Sequence, residues 1–233
     1  MTRSFQHELD KIKRTVLSLG AEVEDRVRRA AEALETCSEK LSKEIIASDK
    51  EINRLEINLE VECLMVLARH QPVAIDLRFV VAVIKMNNEL ESIADQAVNI
   101  AERVEVMART KNKVSRHDYA PMMKIALTML KNSLDALVNK DIKLAFSVII
   151  QDDEVDDLKK QAYHKIKDLI QIHPQEAEYL INLLLVSRHI EKIGDHATNI
   201  AEEVAYMVEG EIVRHGNFKE EPTHNEREIR TCR

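Results

Sequence analysis

Glycine and proline are scarce in this chain, four of each among 233 residues. Tryptophan is absent and aromatic residues make up only 3%. A β-sheet core draws on more aromatic and β-branched side chains than this, so a sheet protein is excluded as the first reading. The three cysteines, Cys37, Cys63 and Cys232, are odd in number and widely spaced, with no CxxC or Cys/His zinc pattern. They fit a reducing compartment, with Cys37 and Cys63 as core fillers. No apolar run approaches the ~18 residues of a membrane span. The longest, Phe79 to Ile84, suits a buried helix segment. Met1 to Asp10 lacks the apolar stretch of a signal peptide. The expected address is the cytoplasm, without membrane insertion. A Gly-rich phosphate loop, GxSxG and HExxH are all missing, so the expectation is a protein that is not an enzyme, with a carboxylate-bound metalloenzyme or a metal-stabilised structural bundle without signalling role as the alternatives.

What remains is 45% hydrophobic and 32% charged, rich in Leu, Ile, Ala, Glu and Lys. That composition reads as long amphipathic helices and an all-α fold. The formal net charge of −7 disfavours a nucleic-acid footprint and suits cations or basic partner surfaces. Apolar steps of three and four predict six helices. Helix 1 runs from about Ser4 to the Glu35 region, with Gly20 as a place to bend. Helix 2 covers Leu41 to Arg69, and helix 3 covers Val73 to Ala108 after Pro72. Helix 4 spans Ala120 to Val138, helix 5 spans Ile142 to Ile170, and helix 6 spans Glu176 to Val208 after Pro174. The polar stretch from Thr110 to Asp118 reads as a linker. The expected domains are 1–110 and 116–209, with a polar tail over 210–233.

An internal repeat organises these helices. The segments ELESIADQAVNIAE and HIEKIGDHATNIAEEV align Glu91, Asp95, Asn99 and Glu102 with Glu191, Asp195, Asn199 and Glu202. Upstream, Asp49, Ile52 and Leu55 align with Asp152, Val155 and Leu158. A duplicated three-helix unit is the simplest source of both matches.

Each copy carries a carboxylate stripe. Glu91, Asp95, Asn99 and Glu102 fall within about an 80° arc at 100° per residue, opposite Ile93, Ala97, Ile100 and Val104. If helices 2 and 3 fold as an antiparallel hairpin about Pro72, Asp95 lies level with Asp49 and Glu91 with Asn53. About Pro174, Asp195 lies level with Asp152 and Glu191 with Asp156. Two chemistries suit this pattern. Clustered carboxylates repel unless neutralised, and a hard cation such as Mg²⁺, Ca²⁺, Mn²⁺ or iron would neutralise them. The same spacing also describes a solvated helix face. Asn99 and Asn199 either complete ligand sets or hydrogen-bond across helices. Beside Pro72, Arg69 and Arg78 flank the turn and Asp76 sits in the first turn of the next helix.

The combination of RHQPVAIDLR (Arg69 to Arg78) with the duplicated E-x-x-x-D-x-A-x-N-I-A resembles the PhoU family of phosphate-uptake regulators. The resemblance runs from Phe5 to about Val208. It implies two three-helix bundles side by side, in a cytoplasmic and often dimeric negative regulator of the phosphate-starvation response. The implied partners are the ATPase subunit of the phosphate ABC transporter and a phosphate-sensing histidine kinase. It also implies metal clusters (iron, manganese, magnesium or zinc) at Asp49, Glu91 and Asp95, and at Asp152, Asp156, Glu191 and Asp195. Asn53 departs from the pattern where an acid is expected. The second unit lacks Asp-Leu-Arg after Pro174, which leaves a partner role for Arg69, Asp76 and Arg78 to the first unit.

Overall fold

The computed structural model describes residues 3–110 and 118–210. Most of the expected linker, and the tail beyond Gly210, therefore lie outside the described residues. The first unit comprises α1 (Arg3–Thr36), α2 (Glu39–Ala47), α3 (Asp49–His70) and α4 (Ala74–Ala108). The second comprises α5 (Ala120–Asn139), α6 (Ile142–Ile172) and α7 (Ala177–Glu209), with a single 3₁₀ turn at Pro174–Glu176 before α7. Among the described residues there is no strand, and the expected repeat of helical bundles is what the chain forms.

The repeat extends to the caps. Cys37 and Lys140 both take left-handed backbone, at φ 51° and 53°. The next residue in each unit caps a helix: Ser38 Oγ accepts from the Leu41 N–H at 3.2 Å, and Asp141 Oδ1 accepts from the Leu144 N–H at 3.1 Å. Position n of α1–α3 thus corresponds to position n + 103 of α5–α6. The apolar seam of α4 is buried as expected, with Ile93, Ala97, Ile100 and Val104 all inaccessible.

One expectation needs correction. Helix 2 is broken at Ser48, where α2 gives way to α3. The cause is Arg26 of α1, which donates to the Ser48 carbonyl at 2.6 Å and to Ser48 Oγ at 3.2 Å. A side chain inserted into the backbone ladder kinks a helix. At the corresponding place α6 runs straight through Gln151, and the residue matching Arg26 is Met129. Helix α1 is continuous through Gly20. A Cβ there would lie 2.8 Å from Leu134 Cδ1 on α5, so the glycine serves close approach between the two units.

The units join mainly through α4 and α7, which form the largest helix–helix interface. His196 Nδ1 pairs with Glu89 Oε2 at 2.7 Å, and His189 Nδ1 with Gln96 Oε1 at 2.9 Å. As one number rises the other falls, so the helices are antiparallel. The repeat aligns 89 with 189 and 96 with 196. The two contacts are therefore related by a pseudo-two-fold axis through the middle of the α4–α7 pair.

Candidate functional site

The hairpin geometry brings the carboxylates together in both units. In the first, burial and then the neighbouring Asp49 push Asp95 above the usual carboxylate range. Burial, followed by Asp95, Glu56 and Asp49, does the same to Glu91. Arg26 opposes this: its guanidinium is buried and donates to Asp49 Oδ1 at 2.9 Å. Asn53 Nδ2 donates to Asp49 Oδ2 at 3.1 Å, while Asn53 Oδ1 is buried without a hydrogen bond.

The second unit differs for a definite reason. Met129 replaces the arginine, and Gly194 stands where α4 has Ala94. A Cβ at 194 would meet Asp152 Oδ1 at 3.4 Å and Met129 Cε at 3.7 Å. The Asp152 carboxyl thus lies near Met129 and Val155 with no guanidinium, and the Thr198 hydroxyl favours its charged form. Burial, then Asp195 and Asp156, push its pKa up to about 6. Counter-charge comes from lysines instead. Lys159 Nζ donates to Glu191 Oε1 at 2.6 Å and lies 3.9 Å from Asp156. Lys192 pairs with Asp195 and lies 4.0 Å from Glu191 Oε2. Glu191 is buried, and its Oε2 makes no hydrogen bond.

The stripe is therefore not a solvated face throughout, since burial reaches Glu191 and partly reaches Asp195. It also divides. Asn199 turns toward α4, donating to Glu89 Oε2 at 3.0 Å. Asn99 is half-buried. Glu102 lies 3.5 Å from the Arg103 guanidinium. Glu202 is half-buried one turn beyond Asn199. Near the first hairpin, Arg69 is exposed and Asp76 is half-buried in the first turn of α4. Arg78 reaches the other unit, donating from Nε to the Met207 carbonyl at 3.5 Å in the last turn of α7. A cation at a helix C-terminus is favourably placed.

Among the described residues no three His, Cys, Asp or Glu side chains converge closely enough to hold an ion as they stand. The donor chemistry nevertheless fits a hard cation. The donors are all carboxylates, burial and the neighbouring Asp195 and Asp156 raise the Asp152 pKa, and the unsatisfied Glu191 Oε2 lies among them. Sequence reasoning missed Arg26, Lys159, Lys192 and Glu89. The repeat itself held the signal for the first, since it sets Arg26 against Met129.

No helix among the described residues is long and apolar enough to cross a membrane. The family model of the PhoU domain matches residues 16–104 and 120–204, once per unit. A PhoU homolog of the phosphate-specific transport system from Pseudomonas aeruginosa is 33% identical over 97% of this chain and 95% of its own. The homolog from Aquifex aeolicus is 34% identical over 91% and 96%. The crystal structure of PhoU from Pseudomonas aeruginosa superposes with a TM-score of 0.85 at 33% identity, covering 89% of this chain and all of that one. The PhoU regulatory protein from Streptococcus pneumoniae gives a TM-score of 0.81 at 27% identity, covering 91% of this chain and all of that one. With both repeats matched and the fold shared end to end, the chain belongs to the PhoU family.

Proposed function

We propose that this protein is a non-enzymatic accessory regulator of phosphate uptake. In this reading it works in the cytoplasm as an adaptor between the ATPase subunit of a phosphate ABC transporter and a phosphate-sensing histidine kinase. It holds the starvation response down when phosphate is plentiful, and it assembles as a homodimer. The observation that carries the reading is the likeness, across both units, to accessory proteins of phosphate-specific transport. Long helices with exposed outer faces suit protein docking, and the acidic balance suits basic partner surfaces. The test is a deletion strain grown at high phosphate with an alkaline phosphatase reporter, joined to a pull-down with the purified ATPase and kinase. Derepression on deletion and capture of both partners are expected. An unchanged reporter with neither partner captured refutes the adaptor role.

We further infer that the second unit binds a hard cation through Asp152, Asp156, Glu191 and Asp195, and the first unit a weaker one through Asp49, Glu91 and Asp95. Such an ion would neutralise clustered carboxylates and lock α6 to α7. Arg26 and Asn53 leave the first unit with less negative charge to offer. Elemental analysis of purified protein, wild type against Glu191→Ala/Asp195→Ala, decides this. Metal present in the wild type and depleted in the variant is expected. No metal in either removes the inference and leaves the fold untouched.

A further inference from the structure

On the outer face of α3, Ile57, Val61, Leu64 and Met65 are 56%, 45%, 52% and 47% exposed. Their spacing puts them on one helix face. That face lies opposite Ile52, Leu59, Cys63 and Val66, which are buried. Nothing in the packing of the unit calls for apolar side chains there. The second unit proves the point: the matching positions on α6 are Lys160, His164, Lys167 and Asp168, all exposed. The same bundle is thus built with a charged outer face in one copy and an apolar one in the other. A contiguous apolar patch on an otherwise charged protein marks a contact surface.

The charges bordering the patch define what it contacts. Toward α4 the patch is edged by Glu56 and Glu60, with Glu91 beyond them. The two edge carboxylates repel, and Glu60 helps burial raise the Glu56 pKa. Toward α1 the edge is already neutralised, since Lys11 Nζ lies 2.7 Å from Glu62 Oε1. We propose that this face docks an amphipathic helix of a protein partner. Its apolar side chains seat on Ile57, Val61, Leu64 and Met65, and its Lys or Arg residues lie along Glu56 and Glu60. The proposal rests on the adaptor reading and supplies the surface that reading requires. A second copy of the chain fits less well, because antiparallel self-pairing about Val61 sets the acidic edge of each copy against itself. An anionic lipid surface would meet Glu56 and Glu60 along one edge and the exposed Arg54 and Arg69 at the two ends of the face.

The test uses the full chain and a designed helical peptide of about 18 residues, with Leu at i, i+3, i+4 and i+7 and Lys along one edge. Binding is read by fluorescence anisotropy. One variant copies the second unit (Ile57→Lys, Val61→His, Leu64→Lys, Met65→Asp), and a second carries Glu56→Gln and Glu60→Gln. Thermal melts check that both stay folded. The wild type is expected to bind, and the four-site exchange to weaken binding about tenfold or more, the scale of losing buried anchors. The Gln pair is expected to weaken the Lys-edged peptide more than a Gln-edged one. No binding by the wild type, or equal binding by the exchange variant, overturns the proposal. So does a dimer in sedimentation that the exchange converts to monomer, or binding to phosphatidylglycerol vesicles that the exchange abolishes. In the deletion strain, the two readings separate. Wild type restoring repression while the exchange variant fails supports docking. Restoration by both refutes docking alone, and restoration by neither refutes the adaptor role.

Discussion

Asp152→Asn should stabilise the protein at neutral pH in chelator and have no such effect in acid. The carboxyl sits beside Met129 and Gly194, with Asp195 and Asp156 close by, and its pKa is raised from an ordinary 3.8 to about 6. A raised acid holds its proton longer when folded than when unfolded. Stability therefore falls as pH rises from about 4 to about 6, and the penalty is constant above that window. At about 1.36 kcal/mol per pH unit, the displacement corresponds to about 3 kcal/mol. The carboxyl keeps partial contact with water, which reduces this to about 1–2 kcal/mol. For a chain of this size that is a rise of roughly 2–8 °C in Tm at pH 7.5. The assay is thermal melting followed by circular dichroism at pH values from 4 to 8 in chelating buffer. Asp153→Asn, an exposed neighbour, serves as the control for the same change in net charge. A gain equal at both ends of the pH range, equal to that of the control, or negative at neutral pH would refute the reasoning. Adding Mn²⁺ should stabilise the wild type more than Asp152→Asn if the carboxylates take a cation.

Two further outcomes follow from features that distinguish the units. Arg26→Met, which copies Met129, removes the bonds to Asp49 and to the Ser48 carbonyl; chemical denaturation should show a loss of about 2–4 kcal/mol, because the loss leaves Asp49 without its cation. Gly20→Ala should cost about 1 kcal/mol by pressing on Leu134. In a Leu134→Ala background the same change should become favourable by about 0.5–1 kcal/mol, since alanine suits a helix better than glycine; additive effects in this double-mutant cycle would contradict the contact.

The helices, their order and the duplication were legible because each rests on periodicity over many residues. The hairpin levels about Pro72 and Pro174 were legible for the same reason: two straight helices leave little choice of register. Legibility ends where one side chain decides the outcome. The break at Ser48 comes from Arg26, a residue from another helix, and no local propensity marks it. The close approach at Gly20 was not legible because its partner, Leu134, lies more than a hundred residues away. The stripe looked uniform in one dimension, yet different neighbours divide it: Lys159 of α6 claims Glu191, Lys192 of α7 itself pairs with Asp195, and Glu89 of α4 claims Asn199. The roles of Lys159 and Lys192 were invisible to a count of acids alone.

The antiparallel contact between α4 and α7 carries a consequence for how the chain responds to protons. Duplication built an interface whose two ends are related by the pseudo-two-fold axis, with position 89 facing 196 and position 189 facing 96. The present residues have broken that symmetry. One end joins His196 to an acid, Glu89; the other joins His189 to a neutral amide, Gln96. Burial and then Arg103 and Arg188 also hold the His189 pKa below its usual value. A proton arriving at His189 therefore finds an amide and two arginines nearby, so the interface inherited from symmetry has one end that bonds a histidine to a counter-charge and one that does not.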